Sequence, residues 1–121
     1  MTDTKKKLML CSSPLIKKSA KKLKFTCDLI RGLTVQNAIL KLKFSKKKES
    51  NDIIKTISSA ISNAENNYGY KDISMLKISQ IIVNQKRKLK RILIKGRGRT
   101  GKMNKKYSII KIGLDYIENK V

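Results

Sequence analysis

Three residues near the end of the chain have the types and spacing to handle phosphate. Gly96, Gly101 and Lys102, within "GRGRTGKM" (Gly96 to Met103), fit the nucleotide-binding loop pattern G-x-x-x-x-G-K. In such a loop backbone N–H groups cradle phosphates at a helix N-terminus, the lysine reaches the outer phosphates, and a following Ser or Thr holds Mg²⁺. Met103 stands where that hydroxyl should be, and a thioether is a poor ligand for a hard cation. The residues that follow, "MNKKYSIIKIG", read as a strand rather than a helix, and no α/β alternation surrounds them. Nucleotide hydrolysis does not fit this context.

Other catalytic chemistry fares no better. The chain has no histidine, which removes the commonest general base. Its eight acids are scattered, with Asp52, Asp72, Asp115 and Glu118 each where a helix start, a turn or a chain end expects one. Cys27 lies on an apolar face with no base beside it, which suits packing better than nucleophilic attack. Cys11 and Cys27 form no C-x-x-C and have no companions for a closed metal site; one disulfide is conceivable, but two reduced thiols are the expectation. No enzyme activity, metal or cofactor is expected.

Charge points elsewhere. Thirty Lys+Arg against eight Asp+Glu give a formal net charge of +22. A compact state carrying that charge repels itself unless a polyanion neutralises it, so a nucleic acid is the expected partner. Arg97 and Arg99 alternate with glycine, so a turn there can approach a nucleic-acid backbone while two planar guanidiniums project.

The elements that must position these cations follow from periodicity. "SAKKLKFTCDLI" (Ser19 to Ile30) places Ala20, Leu23, Cys27 and Ile30 at helical spacing, with Ser19 as candidate N-cap and Gly32 just past the end. Lys21, Lys22 and Lys24 fall between the apolar positions. A second helix is expected over Val35–Leu42, capped by Thr34. Ile53, Ile54, Ile57, Ala60, Ile61 and Ala64 form the stripe of a third, stopped at Gly69. After Gly69 the period becomes two. "SMLKISQIIVNQ" and "KYSIIKIGLDYI" read as two strands of an antiparallel hairpin. Between them Lys86, Arg87, Lys88, Lys90 and Arg91 lead outward, and Lys102, Lys105 and Lys106 lead back. Ten residues from Lys86 to Lys95 reach roughly 30 Å beyond a sheet. Like charges crowded across adjacent strands are destabilising in isolation, so an arm shaped by phosphates and poorly ordered when free is expected. One domain, residues 1–121, accommodates all of this: 1–18 as an N-terminal extension or first strand, 86–106 as an extended hairpin arm.

Three stretches resemble a known family. "SAKKLKFTCDLIRGLTVQNAI", "SAISNAENN" and "LKRILIKGRGRTGKMNKKYSIIKI" look like bacterial-type large-subunit ribosomal protein twenty-two, the L-twenty-two family. "DLIRG" (Asp28 to Gly32) and "SAISNAENN" (Ser59 to Asn67) are its specific signatures, and the match runs from about Ser19 to Ile112. The resemblance implies an α+β fold: three helices packed on a three-stranded antiparallel sheet, with one long extended β-hairpin arm. It implies a structural constituent of the large ribosomal subunit whose arm threads through large-subunit rRNA. The tip, Lys95, Gly96, Arg97, Gly98, Arg99 and Thr100, would line the nascent-peptide exit tunnel. Implied partners are that rRNA, neighbouring large-subunit proteins and the nascent polypeptide. Lys21, Lys22, Lys24 and Arg31 match the family's cationic RNA-facing positions. The chain departs from the family at Gln85, Lys86 and Arg87, where an acidic residue and Gly-Pro are common, and at Ile94, where proline is usual. Bend and register of the outbound strand are thereby left open. The alternative from another class is a free-standing basic protein associated with nucleic acid.

Leu8–Cys11 is too short for a signal's apolar region, no transit peptide is evident, and no segment approaches the roughly 18 apolar residues of a membrane span. The protein is therefore expected to work where it is made. Abundant lysine, isoleucine and asparagine suggest an AT-rich genome, with plastid stroma preferred to another organelle or a bacterial cytoplasm.

Overall fold

The computed structural model describes residues 9–69 and 71–116. Ile117 and Glu118, expected at a strand end and a chain end, lie outside the described residues, as does Leu8. Along the chain run β1 (Met9–Ser12), α1 (Ala20–Ile30), α2 (Val35–Ser45), α3 (Ser50–Tyr68), β2 (Leu76–Ile94) and β3 (Thr100–Tyr116). Short 3-10 turns precede β2 (Ile73–Met75) and cross the hairpin tip (Gly96–Gly98). The sheet is antiparallel in the order β1-β3-β2, the α+β arrangement expected.

Helix ends follow local chemistry. Thr34 accepts a hydrogen bond from the Asn37 N–H at 3.5 Å and opens α2. Gly69 closes α3 at φ 72°, its N–H donating to the Ala64 carbonyl. Ser19 occupies the N-cap position of α1, but its hydroxyl caps nothing. α2 runs three residues beyond Leu42, to Ser45, whose hydroxyl lies 2.7 Å from that of Ser50 at the start of α3. The second strand begins at Leu76 rather than Ser74, because Asp72 caps the turn before it through the Ser74 N–H.

The core lies between the helices and one face of the sheet. Leu23, Cys27 and Ile30 of α1 and Ile53, Ile57, Ala60 and Ala64 of α3 meet Met9, Ile78, Ile81, Ile110, Ile112 and Leu114. α2 adds Val35, Ala38 and Leu42. Both cysteines are free and buried. The sheet edges are covered inside the body. Gly32 donates to the Ile78 carbonyl, Ile78 donates to the Leu33 carbonyl, and Arg31 Nη2 donates to the Ile81 carbonyl at 3.1 Å. On the other edge, the segment after β1 follows β3 until Ile16 and Ser108 exchange backbone hydrogen bonds. Ser108 is buried and its hydroxyl donates to the Lys18 carbonyl. There the body ends. From Lys86 to Tyr107 no side chain is buried.

The arm nevertheless pairs without interruption from Arg87↔Tyr107 to Ile94↔Thr100. The expectation of a shape supplied only by phosphates is corrected in this respect, because the ladder is specified by the chain itself. Register explains how. All but two of the paired cations sit opposite an uncharged partner: Arg87 opposite Tyr107, Leu89 opposite Lys105, Lys90 opposite Asn104, Arg91 opposite Met103, Ile92 opposite Lys102. Only Lys88↔Lys106 opposes like charges directly.

Candidate nucleic-acid interface

Two register shifts in β2, at Ile78/Gln80 and Gln85/Arg87, decide what each face of the arm carries. At the second, Lys86 is an extra residue with no partner on β3, so β2 reverses its faces there. β3 has no such shift, and its even residues Ser108, Ile110, Ile112 and Leu114 face the core. Directly opposed residues share a face. The core-side face of the arm therefore carries Lys88, Lys90, Ile92 and Ile94 with Lys106, Asn104, Lys102 and Thr100. The outer face carries Arg87, Leu89, Arg91 and Leu93 with Tyr107, Lys105, Met103 and Gly101.

The lysine face forms a shallow hollow of about 420 Å³ lined by Lys88, Lys90, Arg91, Ile92, Lys102 and Asn104. At the arm's base a second cleft, about 350 Å³, lies between the start of α1, the α2–α3 connection and the returning strand. Lys17, Lys22, Lys48, Lys105 and Lys106 line it, with Glu49 the one acid on its wall. Lys18 also lines it but is already engaged by Asp52 at 2.7 Å and the Lys48 carbonyl at 2.8 Å. The cleft and hollow share Asn104 and join into one cationic track. Point charges on flexible stems along a groove suit a phosphate chain.

The tip is a tight turn. Lys95 N–H donates to the Arg99 carbonyl at 2.8 Å, and Arg97 and Gly98 both have positive φ, 58° and 72°. Two successive left-handed residues match the right-handed twist of the flanking strands. Gly98 adopts the second conformation freely, but Arg97 holds the first against its own Cβ. Gly101 serves differently: a Cβ there would meet Lys95 Cε at 2.7 Å, so its bareness lets the Lys95 side chain cross the turn. Gly101 and Lys102 lie inside β3, with no helix to aim N–H groups at a nucleotide. The nucleotide-loop pattern is a hairpin tip.

Of the cations singled out from sequence, Lys88, Lys90, Lys102 and Lys106 come together on one face; by register Arg87, Arg91 and Lys105 fall on the other, with Arg91 also bordering the hollow and Lys105 the cleft. Lys86 stands at the bulge, and Lys95, Arg97 and Arg99 surround the tip. On α1, Lys22 joins the cleft while Lys21 and Lys24 are exposed outside it. Arg31 bonds the Ile81 carbonyl and Asp28 at 3.2 Å while its side chain stays 47% exposed, so it helps cover the β2 edge and still presents charge to solvent. Sequence reasoning missed Lys17 and Lys48. Their only sequence signal is proximity to a helix start, and they join the site through the meeting of three distant segments.

Burial pushes the Cys27 thiol up to about 12 and raises Cys11 as well, which keeps both protonated at neutral pH. Among the described residues no cluster of acids and thiols could hold a metal, and no helix is long and apolar enough to cross a membrane.

The chain matches the family model of ribosomal protein L22p/L17e over residues 12–115. It is similar to the large ribosomal subunit protein uL22 of Maricaulis maris, 39% identical over 104 residues that span 86% of this chain and 82% of that protein. It is 37% identical over 105 residues to the uL22 of Wolbachia pipientis subsp. Culex pipiens, spanning 87% and 90%. With the uL22 of Orientia tsutsugamushi it shares 40% over 104 residues, spanning 86% and 89%.

Proposed function

The chain belongs to the L22p/L17e family of ribosomal proteins and is a structural constituent of the large ribosomal subunit; from that premise we propose that its arm and basal cleft bind large-subunit rRNA and that its tip lines the nascent-peptide exit tunnel. One observation carries the reading. From Lys86 to Lys106 the arm holds eleven cations and no acid, and it buries no side chain of its own. Such a ladder gains its stability from a polyanionic surface that surrounds it. The lysine track supplies phosphate neutralisation, with counterion release making affinity fall as salt rises. RNA shape sets the site more than base sequence does.

Toward the tip the track changes character. Ile92 and Ile94, 74% and 84% exposed, replace lysine on the core-side face. Two exposed isoleucines beyond the lysine shaft, beside the tip cations Lys95, Arg97 and Arg99, support a tip that meets the growing polypeptide as well as phosphate. No step in this role needs an enzyme. The lysine- and isoleucine-rich composition supports a ribosome made under an AT-rich genome, with plastid stroma as the proposed compartment. The named relatives are bacterial, so recovery from a bacterial cytoplasm would remove the plastid assignment and leave the ribosomal one.

Sedimentation of a native lysate tests the assignment: the protein should travel wholly with the large subunit. Recovery with free RNA or DNA instead would favour a free-standing basic protein. Replacing Lys90, Arg91, Lys105 and Lys106 with glutamine should weaken rRNA binding and lower the slope of log affinity against log salt by roughly 3 to 4. An unchanged slope would mean these residues do not meet phosphate.

A further inference from the structure

We infer that the arm reads RNA with two chemically different faces, the outer face formed by Arg87, Leu89, Arg91 and Leu93 being a platform for unpaired nucleobases. This rests on the rRNA-binding reading and adds to it which side meets bases and which meets phosphate. The first observation is the partition of cations. The chain has five arginines among its 30 cations, and both on the outbound strand fall at outer-face positions by register, beside Lys105, while the shaft's core-side positions carry lysine as their only cation; Arg91 also borders the hollow. Lysine is sufficient where a phosphate needs a point charge. Arginine adds a planar, weakly hydrated guanidinium that stacks on rings and presents paired donors to base edges.

The second observation is what stands between the arginines. Arg87 is directly opposite Tyr107, and Arg91 is directly opposite Met103, with Leu89 and Leu93 alternating along the strand. Leu89 and Tyr107 are half-buried although no core lies near them, and Leu93 and Met103 are 46% and 38% exposed. By register these side chains adjoin one another along the outer face. They build a low apolar surface crossed by guanidiniums. Phosphate cannot cover such a surface favourably, whereas the flat face of a base can, leaving its polar edge to the arginines. The core-side face differs along the shaft: Lys88, Lys90 and Lys102 line a hollow that joins the basal cleft, and isoleucine replaces lysine only toward the tip, at Ile92 and Ile94. The bulge at Lys86 is the device that sets this up, because it moves the odd residues of β2 to the outer side.

Charge-conserving substitution separates the two faces. Arg87→Lys with Arg91→Lys is expected to weaken binding of the full chain to large-subunit rRNA roughly tenfold at every salt concentration, with the salt slope unchanged. Base edges in the bound RNA should lose protection from methylating reagents, while hydroxyl-radical protection of the sugar–phosphate chain persists. Lys88→Gln with Lys90→Gln should do the reverse, lowering the slope by about 2 and leaving base protection in place. Wild-type affinity in the arginine variant would overturn the inference. So would a photoreactive side chain at position 93 of assembled subunits that joins polypeptide rather than nucleobase. If only the lysine pair matters, the base platform fails and rRNA binding stands; if neither pair matters, the rRNA reading itself fails.

Discussion

β2 and β3 each pass through two environments, and the same ladder does different work in each. Between Leu76 and Gln85, and from Ser108 to Tyr116, the strands are covered by helices on one face and by β1 and its continuation along an edge. There Ile78, Ile81, Ile110, Ile112 and Leu114 are buried, and burial of such side chains is worth about 1.5–3 kcal/mol each. Beyond Ser108 the hydrogen bonds continue, but no helix or further strand covers them. Backbone pairing alone is a weak source of net stability, so the body holds the fold while the arm holds only a shape. A protein can place eleven cations on the second region because the first does not depend on it.

The sharpest break of this division comes from the core. Ile57 is fully buried on α3, and Ile57→Ala should cost about 2–5 kcal/mol in denaturant unfolding. Its rRNA salt slope, measured where the variant is folded, should match that of the wild type. A changed slope would show that body and arm are coupled.

How much of this division could be read in advance depends on which residues carry it. The helices were legible because Ile53, Ile57, Ala60 and Ala64 keep one period through three turns, and because Thr34 and Gly69 mark ends by local chemistry. The arm was legible as charge. Its faces were not: a one-residue bulge at Lys86 leaves no composition signal, yet it reverses every side chain beyond it. The basal cleft was also hidden, since Lys17, Lys48 and Lys106 belong to segments that meet only in three dimensions. Arg31 illustrates the converse. The resemblance made it an RNA-facing cation, and its hydrogen bond to the Ile81 carbonyl adds an intramolecular task that no pattern reveals.

A smaller effect separates the regions by pH. Cys27 is buried in the body, where desolvation pushes its thiol from 9.0 to about 12. The unfolded chain loses this proton first, so the stability it contributes is intact below pH 9 and declines as pH rises toward 12. By pH 10 the loss should reach about 1.4 kcal/mol. Unfolding followed from pH 8 to 10 should therefore show a decline that Cys27→Ala lacks. An equal decline in both proteins would show that Cys27 is not its source.

The finest comparison uses the two non-glycine residues with positive φ among the described residues, one in each region: Lys46 at 55°, ending α2, and Arg97 at 58°, in the tip. The left-handed conformation costs an ordinary residue about 1–2 kcal/mol, and glycine avoids that cost while adding roughly 0.5–1 kcal/mol of chain entropy to the unfolded state. The net gain of a glycine is about 0.5 kcal/mol at either site. At Lys46 that gain belongs to the cooperative unit, so Lys46→Gly should raise the melting temperature by about 2 °C. At Arg97 the same relief acts on a turn that opens without the body. Arg97→Gly should leave the melting temperature unchanged and slow amide exchange only near the tip, where opening in the free protein is cheap because nothing is buried. If Arg97→Gly raises the melting temperature as Lys46→Gly does, the arm unfolds with the body, and the ladder beyond Ser108 contributes to the fold after all.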